Sequence, residues 1–156
     1  MARRDHSEAE IRRALGREGH PEPDVEAALD RLRAERYLDD AAYAARFARS
    51  RLAHQGLGQR RIRAALGQRG VARTAVERGI REALEEVSEA DTLTALARKY
   101  WRERTQDQPE QRLRKLWSFL LRRGFSPDLV RERLRTLWPR HRGALDELLA
   151  AEEENE

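Results

Sequence analysis

Ile62-Arg63-Ala64-Ala65-Leu66, followed by Gly70, Val76 and Ile80, decides the fold. Residues four apart lie on one helix face, so Ile62 and Leu66 mark the inward side of a helix. Gly70 falls four residues later, where a glycine in left-handed conformation stops a helix. Val76 and Ile80 then restart the same spacing on a second helix. The stretch reads as helix, glycine stop, helix.

The same pattern recurs on either side. Upstream it is Ile11…Leu15, Gly19, Val25 and Leu29; downstream it is Leu116…Leu120, Gly124, Val130 and Leu134. Agreement at five positions in three copies marks an internal repeat of roughly fifty residues. Capping residues support the boundaries. Ser7-Glu-Ala-Glu10 has capping-box form. Ser126-Pro127-Asp128 offers an N-cap serine, a first-turn proline and an acid at the positive end of the helix dipole. The pattern predicts positive φ at Gly19, Gly70 and Gly124.

A further helix precedes the pair in copies two and three. Asp39 or Asp40 caps one running to about His54, with Tyr43, Phe47 and Leu52 inward; Gly56-Leu57-Gly58 then breaks the chain. Ser88 caps the other, with Leu93, Leu96, Ala97 and Trp101 inward. A last helix, about His141 to Glu152, carries Leu145, Leu148 and Leu149. No stretch alternates with period two long enough for a strand. The expected class is therefore all-α, with tandem three-helix repeats in an elongated or curved array. Residues 1–37 form a first repeat that keeps two helices, since only six residues precede Ser7. Residues 38–87 form a second repeat. Residues 88–156 form a third, with a terminal helix and the acidic tail Glu152–Glu156, which is expected to fray.

Composition suits several small cores under charged helix faces. Of 156 residues, 39% are hydrophobic and 38% charged, a charged share well above the globular average. The basic residues are almost all arginine, Lys99 and Lys115 being the only lysines. Charge comes in blocks: residues 46–73 hold eight arginines and no acid, and residues 98–142 are net +9, while the intervening 74–97 are net −4. Two separated basic blocks suit a polyanion surface. The absence of cysteine excludes disulfide, zinc-thiolate and cysteine-nucleophile chemistry. Neither lysine follows a glycine, so no phosphate-binding loop is present. His6, His20, His54 and His141 are too scattered for a metal motif. No apolar run suggests a leader or a membrane span, so a cytoplasmic location is expected; the missing nucleotide and metal motifs make a cofactor-free, non-enzymatic protein the expectation.

The candidate site residues are basic. Arg60, Arg61 and Arg63 stand early in the Ile62 helix, where free N–H groups and the helix dipole would welcome an anion. Arg46 and Arg49 flank the helix before it. In the third copy Arg112, Lys115, Phe119 and Arg122 share one face, and an aromatic among cations can stack on a base or dock on a partner. Packing of Phe119 against the terminal helix is the structural alternative, and Tyr43, Phe47, Trp101 and Trp117 are expected in the core. The net-negative residues 1–45, with Arg31, Arg33 and Arg36, offer a comparison surface outside the site.

Three quoted stretches resemble the RecX family: Arg4-Asp-His-Ser7…Glu10-Ile11…Leu15, Tyr37-Leu-Asp-Asp40…Tyr43…Phe47-Ala-Arg-Ser-Arg51, and Gly56-Leu-Gly58-Gln-Arg-Arg61-Ile62…Leu66…Arg69-Gly70-Val71. The resemblance runs from about Arg4 to Trp138, by letters in the central repeat and by pattern in the third. It implies a regulator without catalytic residues, and a monomer is expected. Such a regulator binds the RecA nucleoprotein filament in its helical groove and modulates or inhibits its ATPase, strand-exchange and coprotease activities; for this chain inhibition is expected, with weak, salt-sensitive contacts to single- and double-stranded DNA. A different class stays open on the residues alone: the Ile62–Gly70–Val76 pair could serve a stand-alone helical DNA-binding protein acting on naked DNA. Against it, only Arg73 and Thr74 stand where base-reading residues would be needed.

Overall fold

The computed structural model describes residues 6–153. Among these, nine α-helices and one 3-10 turn occur, and no strand. The helices are α1 (Glu8–Arg17), α2 (Glu22–Ala34), α3 (Asp40–Gln55), α4 (Gln59–Gln68), α5 (Arg73–Glu86), α6 (Glu89–Glu103), α7 (Pro109–Arg122), α8 (Pro127–Leu137) and α9 (Arg142–Glu153), with the 3-10 turn Pro139–His141 before α9. The all-α class and the tandem three-helix organisation hold. Arg4 and most of the acidic tail lie outside the described residues.

The three repeat glycines end their helices in the same way. Gly19, Gly70 and Gly124 have φ of +84°, +78° and +93°. At α4 the Gly70 N–H donates to the Gly67 carbonyl at 2.9 Å and the Val71 N–H to the Leu66 carbonyl at 3.1 Å. The same pair of bonds closes α1 at Gly19 and α7 at Gly124. Each is a Schellman cap, which satisfies carbonyls the helix itself leaves open. The predicted caps are present as well: Ser7, Ser88 and Ser126 each accept a backbone N–H three residues on, and Asp39 does so for α3.

Alanine at position 70 would meet two penalties. A left-handed φ disfavours a Cβ, and that Cβ would stand 2.6 Å from the Ala9 Cβ. Gly70→Ala is expected to cost about 1–2 kcal/mol, read as a lowered denaturant midpoint. A fourth cap escaped the sequence reading. Arg36 ends α2 with φ +57°, and its N–H and that of Tyr37 bond back to Arg33 and Leu32. Here an L side chain occupies the glycine position. Arg36→Gly is expected to raise stability by about 0.5–1 kcal/mol; a lower midpoint would contradict the assignment.

By compactness the chain forms two units, residues 1–51 with 62–86 and residues 52–61 with 87–156. In the first, a polar latch ties α1 to the end of α4. Ser7 is fully buried; its hydroxyl donates to the Arg69 carbonyl at 3.0 Å while accepting from Glu10 N–H. The Arg69 guanidinium returns to Glu10 at 3.1 Å and to the Tyr43 hydroxyl at 3.1 Å. Asp40 accepts the Glu8 N–H at 3.0 Å, and burial holds its carboxyl above the usual range. Helices α3 and α5 of this unit cross at van der Waals contact. A Cβ on Gly79 would fall 2.5 Å from the Ala44 Cβ and 2.6 Å from the Ala45 nitrogen, so this close crossing depends on the alanine run of α3 meeting a residue with no side chain.

In the second unit α6, α7, α8 and α9 enclose one core, with Leu93, Leu116, Trp117, Leu120, Phe125 and Leu134 almost wholly buried. Tyr43 and Trp117 are core residues as expected, at 5% and 2% exposure. Phe47 and Trp101 are only half-buried. Phe47 lies beneath the guanidinium groups of Arg51 and Arg69, and Trp101 stacks on Trp138 at 4.5 Å. Both keep one face near the surface because cations or a second ring cover the other.

Candidate functional site

The positions of Arg60, Arg61 and Arg122 follow from one backbone junction in the second unit. Gly56 turns the chain with φ +58°. Gly58 then lies against the turn between α7 and α8, where its N–H donates to the Arg123 carbonyl at 2.8 Å and the Arg60 N–H to the Gly124 carbonyl at 3.1 Å. No side chain would fit between these backbones. A Cβ on Gly58 would lie 2.4 Å from Gly124 and Phe125 atoms, and one on Gly124 would lie 2.5 Å from the Arg61 Cβ.

This junction gathers arginines from two repeats. The Arg61 guanidinium donates to the Arg122 carbonyl at 2.9 Å. Arg123, which the sequence reading passed over, donates to the carbonyls of Gly56 and Gln55. Arg61 and Arg123 therefore hold the junction together by satisfying helix-end carbonyls. Arg60 and Arg122 are exposed, and among the described residues neither side chain has a hydrogen bond or ion pair. They are the cations of the cluster still available to a ligand.

One expectation is corrected here. The first two N–H groups of α4 are not open to an anion: Gln59 N–H donates to the Glu89 carboxylate at 2.8 Å and Arg60 N–H to the Gly124 carbonyl. Those two donors are spent within the fold, which leaves the side chains as the larger part of any anion affinity here.

The other predicted residues lie elsewhere. Arg63 grips Glu77 of α5 with two bonds, 2.8 and 3.1 Å, and this bonding keeps the Glu77 carboxyl below the usual range. Arg49 pairs with Glu86 at 2.8 Å and Glu82 at 3.7 Å. Both hold α5, and their charge is largely answered. Arg46 is exposed on α3. On α7, Arg112 lies over the Trp101 ring at 4.7 Å and donates to the Asp107 carbonyl, while Lys115 pairs with Asp107 at 2.9 Å. Phe119 lies tilted against Tyr100 of α6, ring centroids 4.9 Å apart, with Arg123 over its ring. It packs inward, against Tyr100 of α6, which is nearer to the packing alternative than to an open stacking surface. Its face is therefore not free for a base.

Among the described residues no group of three His, Cys, Asp or Glu side chains could hold a metal, and no helix is long and apolar enough to cross a membrane.

Comparison with known proteins follows the repeat. Family models described as the first, second and third three-helix domains of RecX match residues 1–32, 39–80 and 88–134. The regulatory protein RecX of Pseudomonas entomophila (strain L48) is 40% identical over 134 residues, covering 83% of this chain and 81% of that one. The chain belongs to the RecX family. The regulatory protein RecX of Vibrio parahaemolyticus serotype O3:K6 is 35% identical with the same coverage. A crystal structure of regulatory protein RecX superposes with a TM-score of 0.73 at 27% identity, over 85% of this chain and 64% of that one, so the chain spans just under two thirds of that protein. The RecX from Lactobacillus salivarius shares the fold, with a TM-score of 0.77 at 19% identity over 87% and 88%. As a RecX protein the chain has a regulatory, non-enzymatic role.

Proposed function

We propose that this RecX protein binds the RecA nucleoprotein filament in the cytoplasm and inhibits its ATPase, strand-exchange and coprotease activities by occupancy. Seated against recombinase subunits and the DNA they hold, it blocks the incoming strand or the cleavage substrate, and any ATP hydrolysis belongs to RecA. It binds as a monomer, with weak and salt-sensitive contacts to single- and double-stranded DNA. The observation that carries the reading, beside family membership, is the arginine junction of the second unit, where Arg60 and Arg122 remain unpaired while Arg61 and Arg123 fix their place. A planar guanidinium suits phosphate and carboxylate alike, as a surface meeting both DNA and protein requires.

Co-sedimentation tests this reading against action on naked DNA. The protein is expected to pellet with RecA filaments on single-stranded DNA at concentrations where naked duplex retains little of it. Equal retention by duplex and filament would favour the stand-alone DNA-binding alternative.

A further inference from the structure

Arg104, which caps the C-terminal end of α6, is held in place without spending a donor. Its guanidinium carbon lies 4.2 Å from the centre of the Tyr100 ring. The residue is exposed, and among the described residues its side chain has no hydrogen bond or ion pair. A cation at a helix end commonly bonds a last carbonyl. Arg61 and Arg123 bond carbonyls in this way; Arg104 does not. A ring beneath a planar guanidinium fixes the plane and leaves the edge, with its N–H donors, to an outside acceptor.

The ring under Arg104 leads to the arginine junction of the same unit. Tyr100 lies against Phe119 of α7 at 4.9 Å, and Phe119 lies under Arg123 at 5.7 Å. Arg123 closes the junction that positions Arg60 and Arg122. Three contacts in series thus join Arg104 to the junction. Asp107, whose N–H bonds the Arg104 carbonyl, is spent on Lys115 at 2.9 Å, and Glu103 pairs with Lys99 at 4.0 Å. Residues 98–142 are net +9. In the first unit Arg51 lies over Phe47 in the same manner, but its neighbour on that ring, Arg69, is already answered by Glu10.

The arrangement selects its ligand. A chain of phosphates meets separate cations one after another, where a single carboxylate would use only one of them. Tyr100 and Phe119 are covered, each by the other and by a guanidinium, so a base finds no free ring to stack on. Contact is therefore with the backbone and carries no sequence information.

We propose that Arg104 is a further phosphate contact, and that Arg104, Arg60 and Arg122 together hold the phosphodiester backbone of DNA without reading its bases. This rests on the reading that the free cations of the junction meet DNA, and extends that site to the end of α6.

Fluorescence anisotropy tests it, with the protein titrated into labelled oligo-thymidylate, oligo-adenylate and a duplex across a salt series. Arg104→Ala is expected to lower affinity for both single strands equally, by about tenfold at low salt. The salt dependence should flatten by about 0.7 of a unit, the effect of one lost phosphate contact on a single strand. A denaturant midpoint close to wild type shows that the variant is folded. Tyr100→Leu removes the ring and keeps the charge, so it should lower affinity less and leave the slope as it is; Tyr100→Phe should behave as wild type. The same loss on duplex assigns the contact to either form of DNA, and a loss confined to single strands assigns it to that form; both uphold the contact. Unchanged affinity and slope in Arg104→Ala would overturn it, as would a loss on only one of the two homopolymers. If reversal of Arg60 and Arg122 weakens binding while Arg104→Ala is silent, only this contact falls. If both are silent, the junction reading falls with it.

Discussion

Gly58→Ala is expected to be among the most damaging single-methyl changes in this protein, costing about 3 kcal/mol or more. The added carbon would lie 2.4 Å from the carbonyl carbon and oxygen of Gly124 and from the Phe125 nitrogen. These are backbone atoms and cannot rotate away. Relief requires the chain around Gly58 to leave the α7–α8 turn, which breaks the Gly58–Arg123 and Arg60–Gly124 bonds and strands buried polar groups. Gly67→Ala is the counterpart: its methyl enters open space, so it should stabilise by about 1 kcal/mol. Chemical denaturation of both variants checks the pair. A wild-type midpoint for Gly58→Ala would mean the junction is not packed as described.

That contrast shows where the sequence stops being legible. Ile62, Leu66, Val76 and Ile80 could be assigned inward from spacing alone, because a helix turns 100° per residue and one face must be buried. Gly70 could be assigned as a helix stop, because its distance from Leu66 is local information. What Gly58 touches is not local. It depends on which turn of a later repeat packs against it, some sixty-six residues on. The same holds for Arg61 and Arg123, whose carbonyl partners exist only once two helix ends meet. Arg36 carried no signal at all, since an arginine in a left-handed cap looks like any surface arginine. The α3–α5 crossing could have been read: an alanine run at 41, 42, 44, 45 and 48 and a mid-helix glycine at 79 are the small residues that close helix packing needs. Of the candidate cations, the sequence located the charge and could not separate those with partners from those without. Arg63 and Arg49 find acids on α5; Arg60 and Arg122 do not.

That separation sets the second large effect. Reversing Arg60 and Arg122 together is expected to weaken filament binding about ten- to hundredfold, since each charge-assisted contact contributes roughly 1.5 kcal/mol or more. The salt dependence should flatten by about one unit of slope per lost phosphate contact. The fold should survive, because glutamate propagates a helix about as well as arginine and neither side chain holds another element. Reversal at Arg61 or Arg63 is a poorer probe, as it would set a carboxylate against the Arg122 carbonyl or against Glu77. Arg31, Arg33 and Arg36 are poor controls for a like reason: Arg33 is committed to Glu8 and Asp30, and Arg36 occupies the α2 cap. Arg78→Glu with Arg81→Glu is better. Both are exposed on α5 in the acidic 74–97 stretch, so binding should change little. Equal losses in the two double variants would point to bulk charge and away from a site.

A regulator that acts on the recombinase and performs no chemistry itself should change the rate of ATP hydrolysis by RecA on single-stranded DNA. With this protein titrated in, that rate is expected to fall and to reach its floor at or below one protein per RecA, with no hydrolysis by the protein alone. An unchanged rate at every ratio, or ATP hydrolysis by the pure protein, would show that it works in some other way.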